Sequence, residues 1–314
     1  MGSSTRMRAT WLSRRRLLLP GSGRLPGGLW AHAACRPLTV FANTLSGHLT
    51  RLSVRLVPSS RTDLTLPFDD QLMAEILDRV PGLRRDHDWV VLTPSDPRRS
   101  RIMILGLDGM RRQTVFVRAT LDEPNLLALR LLEQLQQTRS GLVYPMVEDV
   151  FSLDEWWITV ERPLPQASHR PARLDARSLH ELAKEIQALA PPRDGLVCGH
   201  GDLGPWNVRR YADGRLGVLD WEYATWSTRA TDELWYALTL PLATTDQPGK
   251  RIGQTAIDAL GEVYGEHEVR EAAEFLVTQR TRAEPAEIRE GVERSKSLLA
   301  FEDRLVQALS LITD

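Results

Sequence analysis

One stretch constrains this chain more than any other. It is His200-Gly201-Asp202-Leu203-Gly204-Pro205-Trp206-Asn207, followed thirteen residues after the Asn by the Asp of Leu219-Asp220-Trp221-Glu222. The sequence around it dictates a tight backbone path. Residues 195–199 are a short apolar run entering the motif, and Val208-Arg209-Arg210-Tyr211 leaves it. Ala212-Asp213-Gly214-Arg215 then carries the Asp-Gly signature of a hairpin turn, and Leu216-Gly217-Val218-Leu219 returns as a second strand. Two strands side by side bring Asp220 back beside the loop that begins the first. Asp202, Asn207 and Asp220 are therefore expected to face one small volume.

Such a trio has the spacing that phosphoryl transfer from ATP requires. One carboxylate accepts or orients the proton of the acceptor hydroxyl, while an amide oxygen and a second carboxylate hold the Mg²⁺ ions that bridge the phosphates. His-Gly-Asp-Leu-x-x-x-Asn followed by Leu-Asp-Trp-Glu resembles the aminoglycoside phosphotransferase and choline kinase family. The resemblance is specific over residues 197–236 and general elsewhere. It implies an α+β, two-lobed, protein-kinase-like fold, with a small antiparallel-sheet lobe and a larger, mainly helical lobe. It also implies Asp202 as catalytic base, Asn207 and Asp220 as metal ligands, and His200 as a residue that braces the loop. Trp206 and Trp221 are read as packing aromatics, and Glu222 as a member of a structural ion pair.

Length and charge set the organisation. The 314 residues suffice for two lobes, and 42% hydrophobic residues for a sizeable core. The formal net charge of -1 argues against a nucleic-acid-binding protein as a whole. That average hides an asymmetry, because residues 1–62 contain ten Arg and no Asp or Glu, which leaves about -11 for the remainder. Residues 1–62 are read as a basic, flexible extension. A targeting peptide and a nucleic-acid or lipid-surface arm are the alternatives, and residues 38–57 have the alternation of an extra hairpin. No run of about 18 apolar residues appears, so no membrane span is expected. With only Cys35 and Cys198, a disulfide framework is not expected, and a reducing cytoplasm is the natural compartment. Cys198 reads as a small core residue.

Residues 63–161 are assigned to the small nucleotide-binding lobe. A helix is expected from about Pro67 to Val80, with Leu72, Ile76 and Val80 as its stripe, then strands over residues 89–93, 102–105 and 114–119. The loop from Pro94 to Ser100 is in the place where the resemblance puts a phosphate-covering loop, with Ser95 as a candidate contact. The third strand departs from the family. Kinase-like enzymes place a Lys there to hold phosphate, paired with a Glu on the next helix, but this chain has no Lys before Lys184. Arg118 stands in that place, with Glu123 and Glu133 as candidate partners. Its planar fork can grip phosphate but is not interchangeable with an ammonium. Residues 156–161 form a strand leading to Arg162-Pro163-Leu164-Pro165, where the resemblance puts the segment that meets the adenine edge and makes Glu161 a candidate.

Residues 162–314 are assigned to the large catalytic and substrate lobe. Leu179, Leu182, Ala183, Ile186 and Leu189 mark one helix, residues 230–240 another, and Leu298, Phe301, Leu305, Leu309 and Ile312 the inner face of the last. The expected activity is ATP- and Mg²⁺-dependent phosphorylation of a hydroxyl on a small, sugar-like, aminoglycoside-like or amino-alcohol acceptor. Acidic residues that would hold ammonium groups on such an acceptor include Asp232, Glu233, Glu262, Glu266, Glu268, Glu271 and Glu274. Trp226, Trp235 and Tyr236 are candidates to line its pocket, with core packing as the other reading of each. The competing class is a pseudokinase-like nucleotide- or metabolite-binding module without turnover.

Overall fold

The computed structural model describes residues 7–12, 15–20, 70–83, 88–94, 101–107, 113–138, 140–162, 169–288 and 296–313. Ser95, the loop around it, the connector at 163–168 and residues 38–57 lie outside these. The chain divides into two compact units, one of residues 1–124 and 144–168 and the other of residues 125–143 and 169–314.

The first unit is built on an antiparallel sheet. Its strands are β1 (Met7–Leu12), β2 (Arg15–Pro20), β3 (Asp88–Pro94), β4 (Arg101–Leu107), β5 (Gln113–Thr120), β6 (Met146–Leu153) and β7 (Trp156–Arg162), in the order β1-β2-β3-β4-β5-β7-β6. Helix α1 (Asp70–Arg79) covers one face. Alternation along β5 decides which face: Val115, Val117 and Ala119 are buried with Leu72, Met73 and Ile76 of α1 and with Ile158 and Val160 of β7. Because side chains alternate with a period of two, Phe116 and Arg118 belong to the opposite face. The basic amino-terminal segment contributes β1 and β2, and β2 pairs with β3 from Arg15↔Pro94 to Leu18↔Val91.

The second unit is mainly helical. It holds α2 (Leu126–Gln137), β8 (His169–Pro171), α3 (Ala176–Gln187), β9 (Val197–Gly199), β10 (Val208–Tyr211), β11 (Leu216–Val218), β12 (Thr225–Ser227), α4 (Thr231–Thr244), α5 (Gly249–Tyr264), α6 (Glu266–Ile288) and α7 (Lys296–Thr313). Its largest core joins Leu234, Trp235 and Leu238 of α4, Ile252 and Ala256 of α5, Val269 and Ala273 of α6, and Leu305, Leu309 and Ile312 of α7. None of the described helices is long and apolar enough to cross a membrane.

The unit boundary does not follow a single cut after residue 161. Helix α2 sits with the helical unit, and the bonds at its start explain why. Asn125 caps α2 by accepting from Leu127 N and Ala128 N, and its own amide donates to the carbonyls of Glu222 and Ala224, just past Asp220. One side chain thus satisfies helix-end donors and ties α2 to the second unit.

Candidate active site

The hairpin forms where the Asp-Gly turn places it. β10 and β11 pair antiparallel, Val208↔Val218 to Arg210↔Leu216. β9, the apolar run ahead of the motif, pairs instead with β12, a strand too short to show a sequence pattern. Leu219 N donates to Asn207 O, and His200 Nε2 bonds Leu219 O. The residue before Asp220 is therefore held between both ends of the loop that carries Asp202 and Asn207.

His200 is fully buried against Trp221, ring centroids 4.9 Å apart, and its Nδ1 accepts from Asp202 N at 3.3 Å. With Nε2 on the Leu219 carbonyl, the proton belongs on Nε2 and the ring ties the two loops together. Gly201 has φ +75, and a Cβ there would come within 1.9 Å of Tyr223 O. Only glycine permits that backbone approach.

Asp202 Oδ1 accepts from Trp235 Nε1 at 2.9 Å, and its Oδ2 from Trp206 Nε1 at 3.1 Å and Asn207 Nδ2 at 2.9 Å. Asn207 Nδ2 also donates to the Asp202 carbonyl at 2.8 Å. With the NH₂ of this planar amide committed to Asp202, the carbonyl oxygen Oδ1 is on its other branch. Asp220 adopts a left-handed backbone, φ 61 and ψ 57. Asp tolerates that region better than most residues, and such outliers cluster at functional sites. An amide oxygen and a carboxylate form a hard, all-oxygen donor pair suited to Mg²⁺, which takes one or two carboxylates from the protein and completes its shell with phosphate and water.

The loop's backbone is gripped from below by Asp232 on α4. Its carboxylate, 3% exposed, accepts from His200 N at 2.7 Å and Gly201 N at 2.9 Å. Burial pushes its pKa up, opposed by His200 and by the two backbone donors. Glu233 is also buried, where its Oε1 meets His180 Nδ1 at 2.9 Å and accepts from the Tyr264 hydroxyl. Glu268 forms a two-pronged pair with Arg229. Three of the acidic residues proposed for acceptor ammonium groups are thus engaged within the fold. Glu262, Glu266, Glu271 and Glu274 are exposed.

The aromatic readings also change. Trp206 and Trp235 do pack, but both spend their indole N–H on Asp202, a role that residue type and spacing alone did not reveal. Tyr236 is a core residue whose hydroxyl donates to Ala172 O and accepts from Leu174 N. Cys198 is fully buried, and burial pushes its thiol up.

In the sheet unit, Arg118 on β5 pairs with Glu161 on β7 at 3.7 Å, with side chains 13% and 12% exposed. The register places Arg118 opposite Thr159 and Phe116 opposite Glu161, so the ion pair is a diagonal cross-strand contact. This partner is neither Glu123 nor Glu133, the two that the sequence offered. Strand pairing brings a carboxylate from β7 within reach, which the linear order of β5 and α2 conceals. It also gives the Glu161 side chain a part in this pair.

Residues 111–276 match the family model described as the phosphotransferase enzyme family. Among solved structures, the chain is similar to spectinomycin phosphotransferase APH(9)-Ia in complex with ADP and spectinomycin, at 11% identity and a TM-score of 0.51, covering 79% of this chain and 98% of that one. It is also similar to amicoumacin kinase hAmiN in complex with AMP-PNP, Ca²⁺ and Ami, at 11% identity and a TM-score of 0.50, covering 79% of this chain and 94% of that one. No curated protein matches it. At these identities the likeness establishes the fold, which is the two-lobed, protein-kinase-like one.

Proposed function

This chain belongs to the phosphotransferase enzyme family, and on that premise we propose that it transfers the γ-phosphoryl group of ATP to a hydroxyl of a small molecule. A sugar-like, aminoglycoside-like or amino-alcohol acceptor fits this reading, and Mg²⁺ is its metal. The observation that carries it is the mutual fixation of Asp202 and Asn207, with Leu219 tied between the ends of the same loop.

In the reaction the acceptor oxygen bonds to the γ-phosphorus as the bond to the bridging oxygen of ADP breaks. Asp202 accepts or orients the hydroxyl proton, which leaves to solvent after transfer. Asn207 Oδ1 and the Asp220 carboxylate would hold Mg²⁺, which when bound neutralises charge on the phosphate oxygens. In the sheet unit, Arg118 is the candidate phosphate-binding cation and Glu161 its partner; Ser95 remains a candidate from sequence. The buried thiol of Cys198 fits a reducing, cytoplasmic setting.

The test is a screen of small hydroxyl compounds for Mg²⁺-dependent ATP consumption, together with Asp202→Asn. The expected result is turnover with at least one acceptor, and a fall of about 10²-fold or more in kcat for the variant, with ATP affinity kept. If ATP and Mg²⁺ well above a plausible Kd give no thermal stabilisation, the reading fails.

A further inference from the structure

We infer that Trp206 and Trp235 are positioning residues whose two indole N–H groups clamp the two oxygens of Asp202 from opposite sources, one in the loop and one in helix α4. This rests on the reading of Asp202 given above. The clamp itself is geometric. Trp235 Nε1 donates to Oδ1 and Trp206 Nε1 to Oδ2, with the Asn207 amide as a second donor on Oδ2. An indole N–H only donates, and its ring turns about two side-chain torsions that packing can lock. It can therefore fix the direction of a carboxylate without adding a charge.

Helix α4 grips the loop twice. Asp232 holds its backbone at His200 and Gly201, and Trp235, one turn further along and 2% exposed, holds its side chain. All three bonds come from one helix, so the carboxylate keeps its orientation relative to the backbone that carries it.

Trp206 is placed by different means. Its ring lies over Gly204, where a Cβ would stand 2.4 Å from the indole, so the residue two before it must be glycine. The ring then meets Trp235 and Phe301 of α7 edge to face, at centroid separations of 6.2 Å and 6.4 Å. Helix α7 thereby supports the clamp through Phe301 alongside its part in the core. Core packing alone would be met by phenylalanine at either tryptophan; the paired N–H groups aimed at one carboxylate are what call for indole.

Trp206→Phe and Trp235→Phe keep a ring and delete the N–H. In the full chain, Mg²⁺-ATP hydrolysis with water as acceptor is expected to lose about 5- to 20-fold in kcat in each variant, with KM for ATP within about twofold. A merely structural role would lower thermal stability and leave that split unmoved. A second measurement does not depend on turnover: in the ¹⁵N-tryptophan-labelled protein, the two indole resonances, one identified by each Phe variant, are expected to move upfield in Asp202→Asn, as the charge-assisted bonds are lost. Indole resonances that stay in place in Asp202→Asn, or Phe variants with wild-type kcat, overturn the clamp. If the wild-type chain turns over no ATP with water or with any acceptor in the screen, the phosphotransferase reading fails, while the resonances still decide whether the clamp exists.

Discussion

Asp202 in the helical unit and Arg118 in the sheet unit are held in different ways. Asp202 receives three N–H donors at 2.9–3.1 Å, on a loop whose backbone is pinned by Asp232 and whose neighbour His200 spans to Leu219. Arg118 is paired with Glu161 at 3.7 Å across two strands. Hydrogen bonds of the first kind are directional and fix an orientation. An ion pair at the longer distance depends weakly on angle and fixes a charge near a place. On the roles proposed above, the first suits a group that must meet one acceptor atom, and the second a cation that exchanges a carboxylate for a phosphate.

Removing the support on the loop side should have the largest effect. Asp232→Ala leaves the buried backbone N–H of His200 and the half-buried one of Gly201 without their carboxylate, at a cost of about 3 kcal/mol. Urea unfolding should show the loss, and unchanged stability would mean that the loop does not depend on α4. A smaller effect is expected from the hairpin that carries the loop. Burial pushes the Tyr211 phenol up to about 12, with Arg209 and Arg215 opposing. A raised folded-state value means that its contribution is present below the unfolded value near 10 and is lost as pH rises from there towards 12. About 2 kcal/mol should disappear across that window, and Tyr211→Phe should flatten this part of the stability profile. The smallest effect belongs to the sheet side. Arg118→Ala should weaken Mg²⁺-ATP binding roughly tenfold, about 1.4 kcal/mol. Unaltered affinity by calorimetry would remove Arg118 from the phosphate site and turn the contrast into one between a catalytic loop and a purely structural ion pair.

Much of this was legible from local signals. Alternation marked β3, β4, β5 and β7, the Asp-Gly turn marked the β10–β11 hairpin, and helical stripes marked α1, α3 and α7, because each pattern is set by the period of its own element. Strands such as β8, β9 and β12, three residues each, carry no usable period. Their existence depends on partners distant in sequence. The acidic residues of α4 misled for a related reason. Asp232 and Glu233 look like a solvated first helical turn, yet both are buried, and burial follows from what packs over a helix as much as from its own composition.

With Asp202, Asn207 and Asp220 spaced around it, the sequence alone pointed to phosphoryl transfer and determined the hairpin, since turn geometry and strand length are local. Only the tertiary structure decided what holds those groups. Trp235 comes to Asp202 from 33 residues away, Asp232 to Gly201 from 31, and Glu161 to Arg118 across a strand pair. Hydrogen-bond partners of that kind are chosen by the packing of whole elements, and residue spacing carries no trace of the choice.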